Sequence, residues 1–187
     1  MRAGEATGAS VRATRREALA AAGAAALAAA PLARAADPDR ERAIRAARAA
    51  VAGEQRAAVA FEAIANSDVL GEENVETMRV LLDHTRAHVR VLERLFASQT
   101  GEDRPPPPTR TQIAGLDDLS GERDAFRLAL GLEEEAIAAH LDAIRLYRNP
   151  LMLRLIAGAM GTDAQHLVML RQLLGEEPAP APFERGA

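Results

Sequence analysis

The chain has 187 residues, a formal net charge of −4, no cysteine and no lysine, so that all 23 basic residues are arginine. This length gives room for one domain with one core, and the lack of cysteine excludes disulfides, thiolate metal sites and lipid-modified cysteine. Aromatic residues are only 3% of the chain against 48% apolar, a composition dominated by alanine that suits closely packed helices and gives little support to a sheet.

The first 35 residues read as an export signal. Thr14-Arg15-Arg16-Glu17-Ala18-Leu19 leads into an apolar run from Ala18 to Ala33, followed by Ala33-Arg34-Ala35. A basic region, an apolar region and a small-residue cleavage site in that order are the features of a secretory signal. The paired arginines make it look like a twin-arginine signal, although Ala18 stands where an aromatic is usual. The apolar run is short of the ~20 residues of a membrane span. Cleavage near Ala35 removes five arginines and two glutamates and takes the net charge from −4 to −7. The expectation is a periplasmic or otherwise extracytoplasmic protein with no stable membrane span after cleavage. Its acidity speaks against nucleic acid or an anionic membrane surface as partner.

Four helices follow. The apolar stripe from Pro38 to about Ala65 runs Ile44, Ala47, Val51, Ala58, Phe61 and Ala65, in steps of three and four. Glu54 lies in that stripe. After the turn Asn66-Ser67-Asp68, a second helix is predicted from about Glu72 to Ser98, with Gly101 ending it and His88 on its inward stripe beside Leu92. Residues 101–119 hold the prolines 105–108 and show no helical period. At ~3.1 Å per residue such a segment can travel the roughly 42 Å length of a 28-residue helix, which permits a parallel second and third helix. A third helix is predicted with Ser120 as N-cap, running to about Tyr147 with Phe126, Leu130 and Ile137 inward. Asn149-Pro150 forces a reversal into a fourth helix that ends at Leu174 before Gly175. The tail 176–187 alternates proline with alanine and reads as disordered. The fold expected for residues 38–175 is all-α, an antiparallel four-helix bundle of two hairpins joined by a long crossover.

The two halves repeat at a spacing of about 78 residues. Glu54 aligns with Glu133, His88 with His166, and Thr85 with Asp163. A carboxylate on one helix and an acid-x-x-His step on the next, given twice, is the ligand set of a di-metal bundle, with one acid replaced by Thr85. An ionised carboxylate on an inward stripe is costly unless paired or metal-bound.

Glu54-Gln55 with Ala57 through Phe61, Asp83-His84 leading to His88, Leu132-Glu133-Glu134, and Asp163-Ala164-Gln165-His166 together resemble the ferritin-like superfamily, over about Arg40 to Leu174. More narrowly, the chain resembles bacterial exported ferritin-like proteins with a twin-arginine signal. The resemblance implies that Glu54 and Glu133 are terminal carboxylates, one per metal. It implies that His88 and His166 each supply a ring nitrogen, and that the acid before each histidine bridges two metals. Thr85, a neutral hydroxyl, cannot bridge. Asp163 is a methylene shorter than glutamate and is expected to be drawn back toward its helix. Asp83 lies about 200° around the helix from Thr85 and substitutes poorly. His84, one turn before His88, can reach inward. His140, two turns after Glu133, stands where the repeat has Phe61 and reads as an added ligand or a capping hydrogen bond.

Glu54, Glu133 and Asp163 supply three negative charges, so two divalent ions leave a buried excess of +1. One ion, held by Glu133, Asp163 and His166 with help from Glu54 or His88, is electrostatically easier. A metal-free set of carboxylate–imidazolium pairs stays open. The donors suit iron, manganese or zinc without choosing among them. Three functions follow: iron–oxygen or peroxide redox chemistry, non-catalytic metal binding, and a metal-free structural or stress-related bundle.

Overall fold

A computed structural model describes residues 38–180; the expected export signal and the end of the tail lie outside them. Four α-helices are present among the described residues: α1 Pro38–Ala65, α2 Glu72–Thr100, α3 Glu122–Leu146 and α4 Pro150–Leu174. No strand occurs among the described residues. Their ends follow local rules. Gly101 (φ 70°) and Gly175 (φ 72°) close α2 and α4 in the left-handed region that glycine adopts without steric penalty. The Asn149 side chain accepts the Leu151 N–H at 2.9 Å, with Pro150 opening α4. The third helix departs from expectation by one residue. Gly121 is its N-cap, while Ser120 donates from its hydroxyl and its N–H to the Asp124 carboxylate in the first turn.

Side-chain contacts fix the topology. Arg40 meets the Thr100 carbonyl and Arg86 meets Glu62, so α1 and α2 are antiparallel. Arg56 pairs with Glu135 across α1 and α3, Arg171 with Glu134 across α3 and α4, and His84 and His88 face His166 and Asp163 across α2 and α4. With each adjacent pair antiparallel, α2 and α3 run parallel. The crossover 101–121 therefore carries the chain back along the bundle.

That crossover is built into the core. After a 3-10 turn at Arg110–Gln112, Ile113 and Leu116 are buried among Ile64, Leu81 and Phe126 of the main apolar cluster. The buried Gln55 side chain on α1 donates to the Pro105 carbonyl and to Glu93, each at 2.9 Å. At the far end, Glu122 accepts from the Gly71 N–H and from the Asn74 side chain, fastening the start of α3 to the start of α2. Truncating Gln55 to alanine strands a buried carbonyl. The expected cost is about 1–3 kcal/mol, read as a lower urea midpoint with an unchanged slope.

Two apolar clusters fill the interior. One gathers Phe61, Met78, Leu81, Phe126, Ile137 and Leu167, the other Val51, Leu92, Phe96, Met152 and Ile156. Gly53 lets α1 and α3 approach closely, since a Cβ there would lie 3.4 Å from the Ala136 Cα. Beside that close approach the core turns polar.

Candidate metal centre

Eight polar or charged residues are buried among the described residues, and five of them, Glu54, Glu133, His140, Asp163 and His166, form one cluster at mid-bundle. Each helix contributes. α1 brings Glu54, α2 brings His88, α3 brings Glu133 and His140, and α4 brings Asp163 and His166. All five residues singled out in the sequence thus meet at one place, and His140 joins them.

Two donor trios share one member. The ligand atoms of Glu54, His88 and Asp163 lie within 4.8 Å of one another, as do those of Glu133, Asp163 and His166. Asp163 is wholly buried. Its Oδ1 stands 3.3 Å from His88 Nδ1 and its Oδ2 stands 3.4 Å from His140 Nε2. His88 Nδ1 is also 3.2 Å from Glu54 Oε1, which His140 Nε2 approaches to 2.8 Å. The short aspartate thus stands between both halves despite its reach. Thr85 is buried but turned away, its hydroxyl donating to the Leu81 carbonyl of its own helix at 2.9 Å. His84 lies outside the carboxylate cluster. Its exposed ring meets His166 edge to edge, with planes 8° apart and His84 Nδ1 3.1 Å from His166 Nε2. The other nitrogen of His166 is 2.8 Å from Glu133.

The electrostatics of the ion-free cluster are self-compensating. Burial alone would depress His88, but the adjacent Asp163 and Glu54 carboxylates outweigh it and raise its pKa to about 10. The same balance brings His140 to about 9. Burial would raise Asp163; its contacts with His140 and His88 hold it below the usual carboxylate range. Glu133 is pushed well up, first by burial and then by the charges of Asp163 and Glu54. His166 is pushed down, chiefly by burial. A Glu133 carboxyl pushed up and a His166 imidazole pushed down together favour the proton on Glu133 in their 2.8 Å contact.

Hydrogen bonding does not satisfy this cluster. Both oxygens of Asp163 and the inward nitrogen of His88 lie close to opposite groups yet are not aligned for a hydrogen bond. An imidazolium at His140 would leave its buried Nδ1–H with no acceptor. Unsatisfied buried groups of this kind are costly. Carboxylate oxygens and imidazole nitrogens that converge on shared points, without bonding one another well, are a donor set that can hold a metal ion. They fit a borderline or hard divalent cation.

With the geometry in place, comparison with known proteins identifies the class. The ferritin-like domain family matches residues 17–176, and the chain belongs to that family. The match begins inside the stretch expected to be an export signal. Among solved structures, the chain is similar to the conserved hypothetical protein rv2844 from Mycobacterium tuberculosis. The two share 18% identity with a TM-score of 0.66, over 78% of this chain and 99% of that one. At that identity the likeness concerns the fold. No curated protein matches the chain. Among the described residues, no helix is long and apolar enough to cross a membrane.

Proposed function

We propose that this protein is an exported ferritin-like metal-binding protein whose first ion is held by Glu54, His88 and Asp163. The observation carrying this reading is the buried Asp163 carboxylate, shared by both donor trios and hydrogen-bonded to neither. Glu54 and Asp163 balance one divalent ion, with neutral His140 bonded to Glu54 beside it. Glu133 can then remain protonated on His166. A second ion at Glu133, Asp163 and His166 would need that proton removed and would leave the +1 excess, so it binds more weakly. The single-ion reading thus moves from the second half of the repeat to the first, because His140 supports the Glu54 carboxylate there.

The experiment is metal titration of the purified chain with Zn²⁺, Mn²⁺ and Fe²⁺, followed by metal analysis. One tight equivalent per chain supports the proposal; no retained transition metal favours a metal-free structural bundle. The presence of a second trio favours one further reading, in which both positions load with iron and the centre turns over dioxygen or peroxide. Oxygen-dependent Fe²⁺ oxidation at two equivalents per chain would establish it.

Export is part of the proposal and rests on the order of residues 14–35. Replacing both Arg15 and Arg16 with glutamine is expected to retain the protein in the cytoplasm. Undiminished export of that variant would remove the twin-arginine route.

A further inference from the structure

The buried centre has one side that approaches the surface. His88 keeps 14% of its side chain exposed, whereas Glu54, Glu133, Asp163 and His166 keep 2% or less. A cavity of about 240 Å³ opens there between α2 and α4, with His88 in its wall. Gly158 and Ala87 leave it open, Val91 and Leu155 make it apolar, and no carboxylate lines it. Arg154 stands in the same lining, exposed and with no ion-pair partner among the described residues. The arginine-lined groove between α1 and α3 differs, because Arg42, Arg45 and Arg145 there are paired with Asp39, Glu41 and Asp142.

We propose that the α2–α4 groove binds a small monocarboxylate with an apolar body, its carboxylate on Arg154 and its body lying toward His88. Charge complementarity selects this occupant. An unpaired guanidinium is less suited to a divalent cation than to an anion. It offers a forked donor to a carboxylate instead. The apolar wall takes a hydrocarbon body, and the volume equals roughly eight waters at about 30 Å³ each, which suits a molecule of about ten non-hydrogen atoms.

Octanoate is the probe, titrated into the full chain as purified and followed by amide chemical shifts. Saturable binding is expected, with shifts at Ala87, Val91 and Gly158. Octanol, which lacks the charge, is expected to bind about tenfold more weakly, and Arg154→Gln to weaken octanoate by about the same factor. Gly158→Leu should remove binding with helical content unchanged, because a Cβ at Gly158 meets nothing within 4 Å. Absence of saturation, shifts confined to another face, or equal binding of octanoate by Arg154→Gln would each overturn the proposal. Binding in the groove does not rest on the metal reading above, so failure of either leaves the other to be judged separately.

Discussion

Asp163→Asn is expected to abolish tight metal binding while leaving the helical bundle intact. Asparagine preserves the volume of a wholly buried side chain but removes the one charge common to both donor trios. Loss of an outer-shell partner costs roughly 10–100-fold in metal affinity; loss of a shared carboxylate ligand should exceed that. Glu133→Gln is the contrasting variant. It touches only the second trio, where burial already favours the protonated acid, so the tight equivalent should weaken by less than about tenfold. Isothermal titration of both variants with Zn²⁺ separates the two positions. Equal losses in both would mean that the ion sits at Glu133, Asp163 and His166 instead.

The second large effect is a reversal of pH dependence on metal loading. In the ion-free protein His88 and His140 have pKa values raised to about 10 and about 9 from an ordinary 6.5. Groups raised on folding contribute stability that is fully present below 6.5 and is lost as pH rises through 9 to 10. Ion-free Tm should therefore fall on the alkaline side. Asp163, held low, contributes stability above its unfolded value that is lost only as pH falls through the depressed one. A metal ion needs neutral imidazole and so displaces protons. Affinity should rise by about tenfold per pH unit for each proton displaced, between about pH 7 and about pH 9. The loaded protein thus gains stability where the ion-free protein loses it. Thermal melts across that range, with and without Zn²⁺, test the divergence. Parallel curves would mean that His88 is not a ligand.

Much of this architecture is legible in the residues because helices write a period. The stripes through Val51 and Phe61, Leu81 and Leu92, Phe126 and Ile137 place all four helices, and Gly101, Asn149-Pro150 and Gly175 mark their ends. The inward stripes likewise carry Glu54, His88, Glu133, Asp163 and His166, and the structure brings their donor atoms into two trios that share Asp163. What lacks a period is not legible. Ile113 and Leu116 are core residues in a segment with no regular spacing, and nothing local announces that Gln55 binds Pro105. Ser120 has the chemistry of an N-cap, but its hydroxyl is taken by Asp124. His140 has no counterpart in the repeat, where Phe61 stands, so its approach to Glu54 depends on how closely α1 and α3 pack beside Gly53. His84 sits one turn from His88, yet its ring turns outward to meet the far edge of His166.

The most direct test of the account is the anomalous scattering map of crystals grown with one equivalent of Zn²⁺. A single strong peak is expected among the Glu54 carboxylate, His88 Nδ1 and Asp163, with at most a weaker one at Glu133, Asp163 and His166. A map with no peak in the bundle interior, or with its stronger peak at the second trio, would contradict it.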